Sequence, residues 1–277
     1  MKICGNWPVG VCSWSLQSGL DAVARFMKDV GLEHIHLDCE SGIVGDGQAF
    51  VESVREKEWK ITSSMVKFPQ EDYSTLDAIK RTGGIVPDEC WESSRDRVVR
   101  AIELTAELGV PFLSTHAGFI DQSKPEYARK FHERVRILAN VAAQKGITLL
   151  METGQESADE LKMFLEELDH PALGINFDPA NMILYNKDDP IDAVLTLAPW
   201  IKHVHIKDAV RTVTPGEWGA EVPWGEGEVG ASGFLDVLRE IGFDGALVVE
   251  RESGDARAED IKNAVVKLTG GQQGEKE

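Results

Sequence analysis

Eight short apolar runs recur along this chain, and stretches with helical spacing separate them. The runs are "VGVCSWS" (9–15), "HIHLDCE" (34–40), "ITSSMVKF" (61–68), "PFLSTHAGF" (111–119), "ITLLMETG" (147–154), "LGINFDPAN" (173–181), "IKHVHIKDA" (201–209) and "ALVVERE" (246–252). Apolar runs of this length, flanked by turn residues, read as buried strands. The stretches between them carry helix signals. Residues 157–160, "SADE", form a Ser-x-x-Glu capping box, and Leu161, Phe164, Leu165 and Leu168 follow at i, i+3, i+4 and i+7. Tyr127, Phe131, Val135, Leu138 and Ala142 make a second stripe. Phe234, Leu235, Leu238 and Ile241 make a third, and Ala258, Ile261, Val265 and Leu268 a fourth. Parallel strands need such a crossover to bring the chain back. Eight strand–helix units in 277 residues predict an α/β fold, a single-domain (β/α)8 or TIM barrel. The rival is an open doubly wound sheet. No Gly-x-Gly-x-x-Gly turn follows the first run to support it.

No break in composition divides the chain, so the barrel is expected over residues 1–268, with "TGGQQGEKE" (269–277) as a disordered tail. Two connections are long: 69–93, which includes the short helix pattern "STLDAIKR", and 210–230, rich in Gly, Pro and Trp. Both follow strands and so belong to the C-terminal mouth of a barrel, where long loops act as lids, and the second is expected to carry Arg211 and Trp224 to the substrate. The 29 basic and 47 acidic residues give a net charge of -18, which opposes nucleic-acid binding. The four cysteines form no Cys-x-x-Cys pair, and "MKICGNWPVG" lacks the apolar core of a secretory signal. No run has the length of a membrane span. A cytoplasmic protein with reduced thiols and no membrane attachment is expected.

Chemistry in a barrel sits where the strands end. Glu152, Asp178, His205 and Glu250 fall at the ends of the last four runs. Three unpaired carboxylates converging there repel one another, and a divalent cation resolves that repulsion. Three carboxylates and an imidazole form a hard, oxygen-rich set that suits Mn2+, Mg2+ or Co2+, with Zn2+ also compatible. His203 points to the same side as His205 but lies one layer deeper, a core position. Asp208 opens the following loop and is a candidate to orient a ligand. Trp14 at the first strand end and Lys67 at the third are candidate substrate contacts.

"METG", "NFDPAN", "HVHIKD", "PWGEG" and "GALVVERE" resemble motifs of the sugar phosphate isomerase/epimerase family, the xylose isomerase-like barrels. The resemblance covers most of the chain and is strongest from Gly146 to Glu252. It implies the same metal ligands, Glu152, Asp178, His205 and Glu250. The ketose 3-epimerase branch holds substrate oxygens with an arginine six residues beyond the metal histidine, which here is Arg211. "HAG" at His116 matches the family's fourth-strand motif. The family's Val-Glu-Leu at the second strand is absent, and His36 and Asp38 occupy that region.

The expected activity is that of a divalent-metal-dependent sugar isomerase or epimerase, close to the ketose 3-epimerases. It would remove a proton next to a carbonyl through a metal-stabilised enediolate. Glu152 and Glu250, from the two ends of the ligand arc, would serve as base and acid on opposite faces of the carbon. Arg211, Trp14, His116 and Lys67 would bind the substrate, a sugar or keto-polyol. A dehydratase of inosose type can use the same metal site. A non-catalytic sugar- or metal-binding barrel is an alternative of another class. An endonuclease IV-like nuclease is disfavoured by the negative charge. A homo-oligomer is compatible with everything above.

Overall fold

Parallel pairing of the eight runs closes on itself. In the computed structural model, which describes residues 1–270, the barrel strands are β1 (Trp7–Cys12), β2 (His34–Asp38), β3 (Lys60–Val66), β4 (Phe112–Thr115), β5 (Thr148–Glu152), β6 (Leu173–Phe177), β7 (Ile201–Ile206) and β8 (Leu247–Val249). Each pairs with the next, and β8 pairs with both β7 and β1. The chain is therefore a single (β/α)8 TIM barrel. A short antiparallel strand, Ile3–Cys4, precedes β1.

The strands are shorter than their apolar runs. β4 stops at Thr115, and β8 stops at Val249. His116, Lys67 and Glu250 therefore lie just beyond strand ends, at the mouth. Two register irregularities interrupt the ladders, at Ile35/His36 and at Ile175/Asn176. Bulges re-aim side chains, and both of these adjoin residues that contact His205.

The helices form as the spacing predicts. Ser157 Oγ accepts from the Glu160 amide at 3.2 Å, and the Glu160 carboxylate accepts from the Ser157 amide at 2.8 Å. The helix Ala158–Leu168 then buries Leu161, Phe164, Leu165 and Leu168. Helix Pro125–Gln144 buries Phe131, Val135, Leu138 and Ala142, and Phe131 packs on Phe164 at 5.1 Å between ring centroids. The last helix, Arg257–Gly270, buries Ile261, Val265 and Leu268. Ala258 is exposed, and Ala264 takes the core position instead. Thr269 and Gly270, expected in a tail, complete this helix. Residues 271–277 of that tail lie outside the described residues. No described helix is long and apolar enough to cross a membrane.

Replacing Ser157 by alanine removes the side-chain acceptor of the Glu160 amide, while the Glu160 carboxylate can still accept from the amide of residue 157. Ser157→Ala should lower stability by about 1 kcal/mol, read as a lower urea midpoint with an unchanged m-value.

Candidate functional site

Glu152 ends β5, Asp178 follows β6, His205 lies within β7 and Glu250 follows β8. One donor atom from each lies within 4.8 Å of every other. His205 Nδ1 is 3.5 Å from Glu152 Oε1, 3.4 Å from Asp178 Oδ2 and 3.4 Å from Glu250 Oε2. Donor atoms that share one cation at about 2.1 Å stand about 3 Å or more apart, so this spacing suits a common ion. Asp178 and His205 have no exposed surface, and Glu250 is 4% exposed. Asp178 Oδ2 and His205 Nδ1 have no hydrogen-bond partner although both are buried. Unpaired buried polar atoms are costly. Two of them aimed at one point among three carboxylates fit a divalent cation.

The electrostatics carry the same demand. Burial works against a charge on His205, yet Cys12, Glu250 and Asp178 hold its pKa well above the usual imidazole range. Burial pushes Glu152 upward, and His205 offsets only part of that. For Asp178 burial is outweighed by Lys207 and His205, which hold the carboxyl below its ordinary value. The same two cations bring Glu250 to about 2 against burial.

Lys207 is the residue that motif reading missed. Its Nζ lies 2.8 Å from Glu250 Oε2, 2.8 Å from Glu252 Oε2 and 3.6 Å from Asp178 Oδ2. The signal was present in "HVHIKD": 203, 205 and 207 alternate to one side of the strand and its extension. His203 lies deeper, where its ring bonds to Asn176 at 2.8 Å and to Thr62 at 2.9 Å.

A cavity of about 550 Å3 opens above the cluster. Glu152 and Glu250 line it, whereas Asp178 and His205 do not. Trp14, Lys67 and His116 also line it. Trp14 Nε1–H donates to Glu250 Oε1 at 2.6 Å. Lys67 Nζ lies 4.5 Å from the Trp14 ring centroid and 3.6 Å from Asp38 Oδ2. His116 Nδ1 meets Glu71 Oε1 at 2.7 Å, while its buried Nε2 has no partner. The same Glu71 oxygen accepts from the Gly84 amide at 3.0 Å. Gly84 has φ +65°, and a Cβ there would come within 2.1 Å of the Ala117 carbonyl. Only glycine lets the 69–93 loop pack this closely on the end of β4. Tyr73, Tyr185 and Trp218 complete an aromatic wall, with Tyr185 and Trp218 centroids 4.7 Å apart. Glu71 and Tyr73 come from one long loop and Trp218 from the other, so both loops reach the site.

Three expectations are corrected. Arg211 is not among the cavity-lining residues: its guanidinium donates to Asn186 Oδ1 and to the Asp188 carbonyl, both at 3.0 Å. Trp224 is buried against Phe234, and Trp218 is the loop tryptophan at the cavity. Asp208 holds no ligand in place. Its carboxylate accepts from the amides of Ala209, Gly225, Gly227 and Val229 at 2.9–3.1 Å. These bonds pin the 210–230 loop, whose flanks form a hairpin, Asp208–Val210 with Ala220–Val222.

The model of the xylose isomerase-like TIM barrel family matches residues 16–268. The chain belongs to that family. A xylose isomerase domain protein from Planctomyces limnophilus superposes with a TM-score of 0.87 at 32% identity, covering 95% of this chain and 96% of that one. A 3-dehydroshikimate dehydratase of Bacillus anthracis is 36% identical over 96 residues, 33% of this chain and 32% of that protein. A ketose 3-epimerase of Arthrobacter globiformis is 26% identical over 178 residues, 58% of this chain and 56% of that protein. The matches cover from 31% to 57% of the length of such curated relatives. Of the two named curated relatives, one is a dehydratase and the other an epimerase.

One buried carboxyl near the mouth has a readable pH signature. Burial pushes Glu156 up to about 8, although His116 and Lys187 lower it in part. The folded-state pKa is raised, so folding favours the protonated form. Its contribution is neutral below the unfolded pKa and turns unfavourable as pH rises through the range between the two values. Glu156→Gln mimics the protonated form. The Tm of this variant minus that of the wild type should be near zero at pH 4.5 and should grow positive up to about pH 8. A flat difference across that range would contradict the assignment.

Proposed function

We propose that the protein is a divalent-metal-dependent enzyme that moves a proton next to the carbonyl of a neutral sugar or keto-polyol, with 3-epimerisation as its reaction. One observation carries the reading: of the four ligand-type residues, only Glu152 and Glu250 also line the cavity. Asp178 and His205 lie behind them as pure ligands. A cation held by these four residues would supply Lewis-acid polarisation of a substrate oxygen. Mn2+, Mg2+ and Co2+ suit the donor set, with Zn2+ also compatible.

The chain's own groups do the rest. Glu152 and Glu250 take up and return the proton at carbon, one from each face. Trp14 fixes the Glu250 carboxylate through Nε1–H. Lys207 Nζ, bonded to Glu250 and Glu252, places a donor at the cavity floor where negative charge develops on oxygen. His116, oriented by Glu71, presents Nε2 to a hydroxyl, and Lys67 provides a further contact. The aromatic wall excludes water from the reacting carbon. The lining carries the carboxylates Glu71, Glu221 and Glu252, and its lysines are already paired. That balance favours a neutral substrate over an anionic one. The buried free cysteines suit a reducing, cytoplasmic setting.

Dehydration of a keto-polyol is the second reading. The unpartnered His116 Nε2 favours it, because loss of water needs an additional proton donor beside the leaving hydroxyl.

Two experiments test the proposal. Elemental analysis after Mn2+ loading should find one ion per chain. A free ion concentration of 100 Kd should stabilise the fold by about 2.7 kcal/mol. An intact protein that takes up no metal and shows an unchanged melt would end this reading. The second experiment incubates the metal-loaded enzyme with ketoses and keto-inositols in D2O and follows exchange by NMR. Glu152→Gln and Glu250→Gln, each checked for bound metal, should lose about 10²-fold or more in exchange. Under epimerisation, the variant that keeps residual exchange should switch with the epimer supplied. Loss of exchange in the same variant for both epimers points to dehydration, and a new olefinic or enol product identifies it.

A further inference from the structure

The back of His205 determines what its front can do. His205 Nε2 lies 3.0 Å from His36 Nδ1. The other nitrogen of His36, Nε2, lies 3.2 Å from the Ser64 carbonyl oxygen. A carbonyl only accepts, so His36 must carry a proton on Nε2. His36 is fully buried and no carboxylate pairs with it among the described residues. A second proton on its ring would be an unpaired charge in the interior, which is costly. His36 is therefore neutral, with a bare Nδ1. That lone pair must receive a proton from His205 Nε2.

We infer that His36 is a positioning residue: it takes the Nε2–H bond of His205 and thereby leaves Nδ1 as the free ligand atom facing Glu152, Asp178 and Glu250. The surrounding network closes under this assignment. The Asn176 amide nitrogen stands 3.1 Å from His205 Nε2 and its oxygen 2.8 Å from His203 Nδ1. With Nε2 protonated, a half-turn of that amide is required, so that its oxygen accepts from His205 and its nitrogen donates to His203. His203 then carries its own proton on Nε2, donates to Thr62 Oγ1 at 2.9 Å, and Thr62 donates to the Ile35 carbonyl at 3.1 Å. The one His205 Nε2–H is shared between His36 Nδ1 and the Asn176 oxygen, and both chains end on backbone carbonyls. The sulfur of Cys12 lies 3.6 Å from the same His205 Nε2. This inference rests on the proposed metal site in its Mg2+-saturated spectra and its affinity arm, but not in the His36 tautomer of the metal-free protein.

The test has two arms. Long-range 1H–15N correlation spectra of 15N-histidine protein resolve the seven rings, and His36→Gln and His205→Asn assign the two of interest. His36 should appear as the neutral Nε2–H form without metal. His205 should carry Nε2–H when saturated with diamagnetic Mg2+. The second arm measures free Mn2+ by EPR. His36→Leu should weaken binding by about 10-fold or more, the scale expected for a lost partner of a ligating histidine. His36→Gln, whose amide can accept from His205 and donate to Ser64, should stay within about threefold, as a retained partner predicts. His36 with its proton on Nδ1, or Mn2+ held by a folded His36→Leu as tightly as by wild type, would overturn the inference. If the wild type takes up neither ion, the functional proposal fails, while the His36 tautomer in metal-free protein still decides this one. If His36→Leu does not fold, the tautomer spectra and the glutamine variant decide it.

Discussion

Three carboxylates sit almost without solvent around one imidazole nitrogen, and the mouth of the barrel is organised by their mutual repulsion. Two unit charges about 4 Å apart interact by about 4 kcal/mol at the effective dielectric of a protein. Glu152, Asp178 and Glu250 make three such pairs. Lys207 offers one compensating charge and shares it with Glu252. With the three carboxylates ionised and His205 neutral, as ligation of a metal requires, one ammonium leaves at least two negative charges uncompensated, which a divalent ion offsets. A single strand delivers most of the answer to this problem. β7 and its extension place His203, His205 and Lys207 on one side, in ascending layers. The deepest anchors the network, the middle one offers a ligand atom, and the uppermost supplies the ammonium.

Asp208 provides an internal control for this reasoning. It too is a fully buried carboxylate at the mouth. Four backbone amides satisfy it, and it has no orphaned oxygen. Asp178 accepts from one amide through Oδ1, and its Oδ2 has no hydrogen-bond partner, with Lys207 Nζ no nearer than 3.6 Å. The same residue type at the same level of the barrel is thus completed in one case and left open in the other. Burial alone does not generate the unpaired atoms. Among the described residues, the buried carboxylate oxygen left without a hydrogen bond, Asp178 Oδ2, lies where four ligand-type side chains meet, and the loop that Asp208 fixes brings Trp218 over that place.

The barrel was legible because its signals are local and repeated: short apolar runs for the strands, helical stripes between them, and one strong capping box. The four ligand-type residues were legible because register puts them at four successive strand ends. What escaped reading depends on side chains meeting across the barrel. His36 lies 169 positions from its partner His205, and nothing in "HIHLDCE" indicates that contact. Glu71 reaches His116 from a loop whose path requires Gly84 to pack on Ala117. Arg211 has the expected spacing from His205, yet Asn186 and Asp188 hold its guanidinium away from the cavity. Spacing along a loop does not fix direction, because a loop has no period. Lys207 was the avoidable omission, since strand alternation already pointed it inward.

The two glutamates at the cavity are chemically unequal, and this inequality bears on the direction of the proposed reaction. Glu250 accepts from Trp14 on one oxygen and from Lys207 on the other. Both bonds favour its ionised form, that of a base. Among the described residues, Glu152 accepts a hydrogen bond only from the Asn181 amide, at 3.2 Å, and burial favours its protonated form. Environments that separate two carboxyl groups in this way divide the roles of base and acid between them. In an epimerase the roles must exchange when the reaction runs backwards, so a built-in division favours one epimer as substrate. A dehydratase has no such requirement. There Glu250 can remain the base throughout, and the proton for the departing hydroxyl comes from Glu152 or from His116, which stands ready with an unpaired nitrogen. The lopsided support of the two glutamates therefore weighs toward a reaction with a preferred direction, whichever bond at the neighbouring carbon is finally broken.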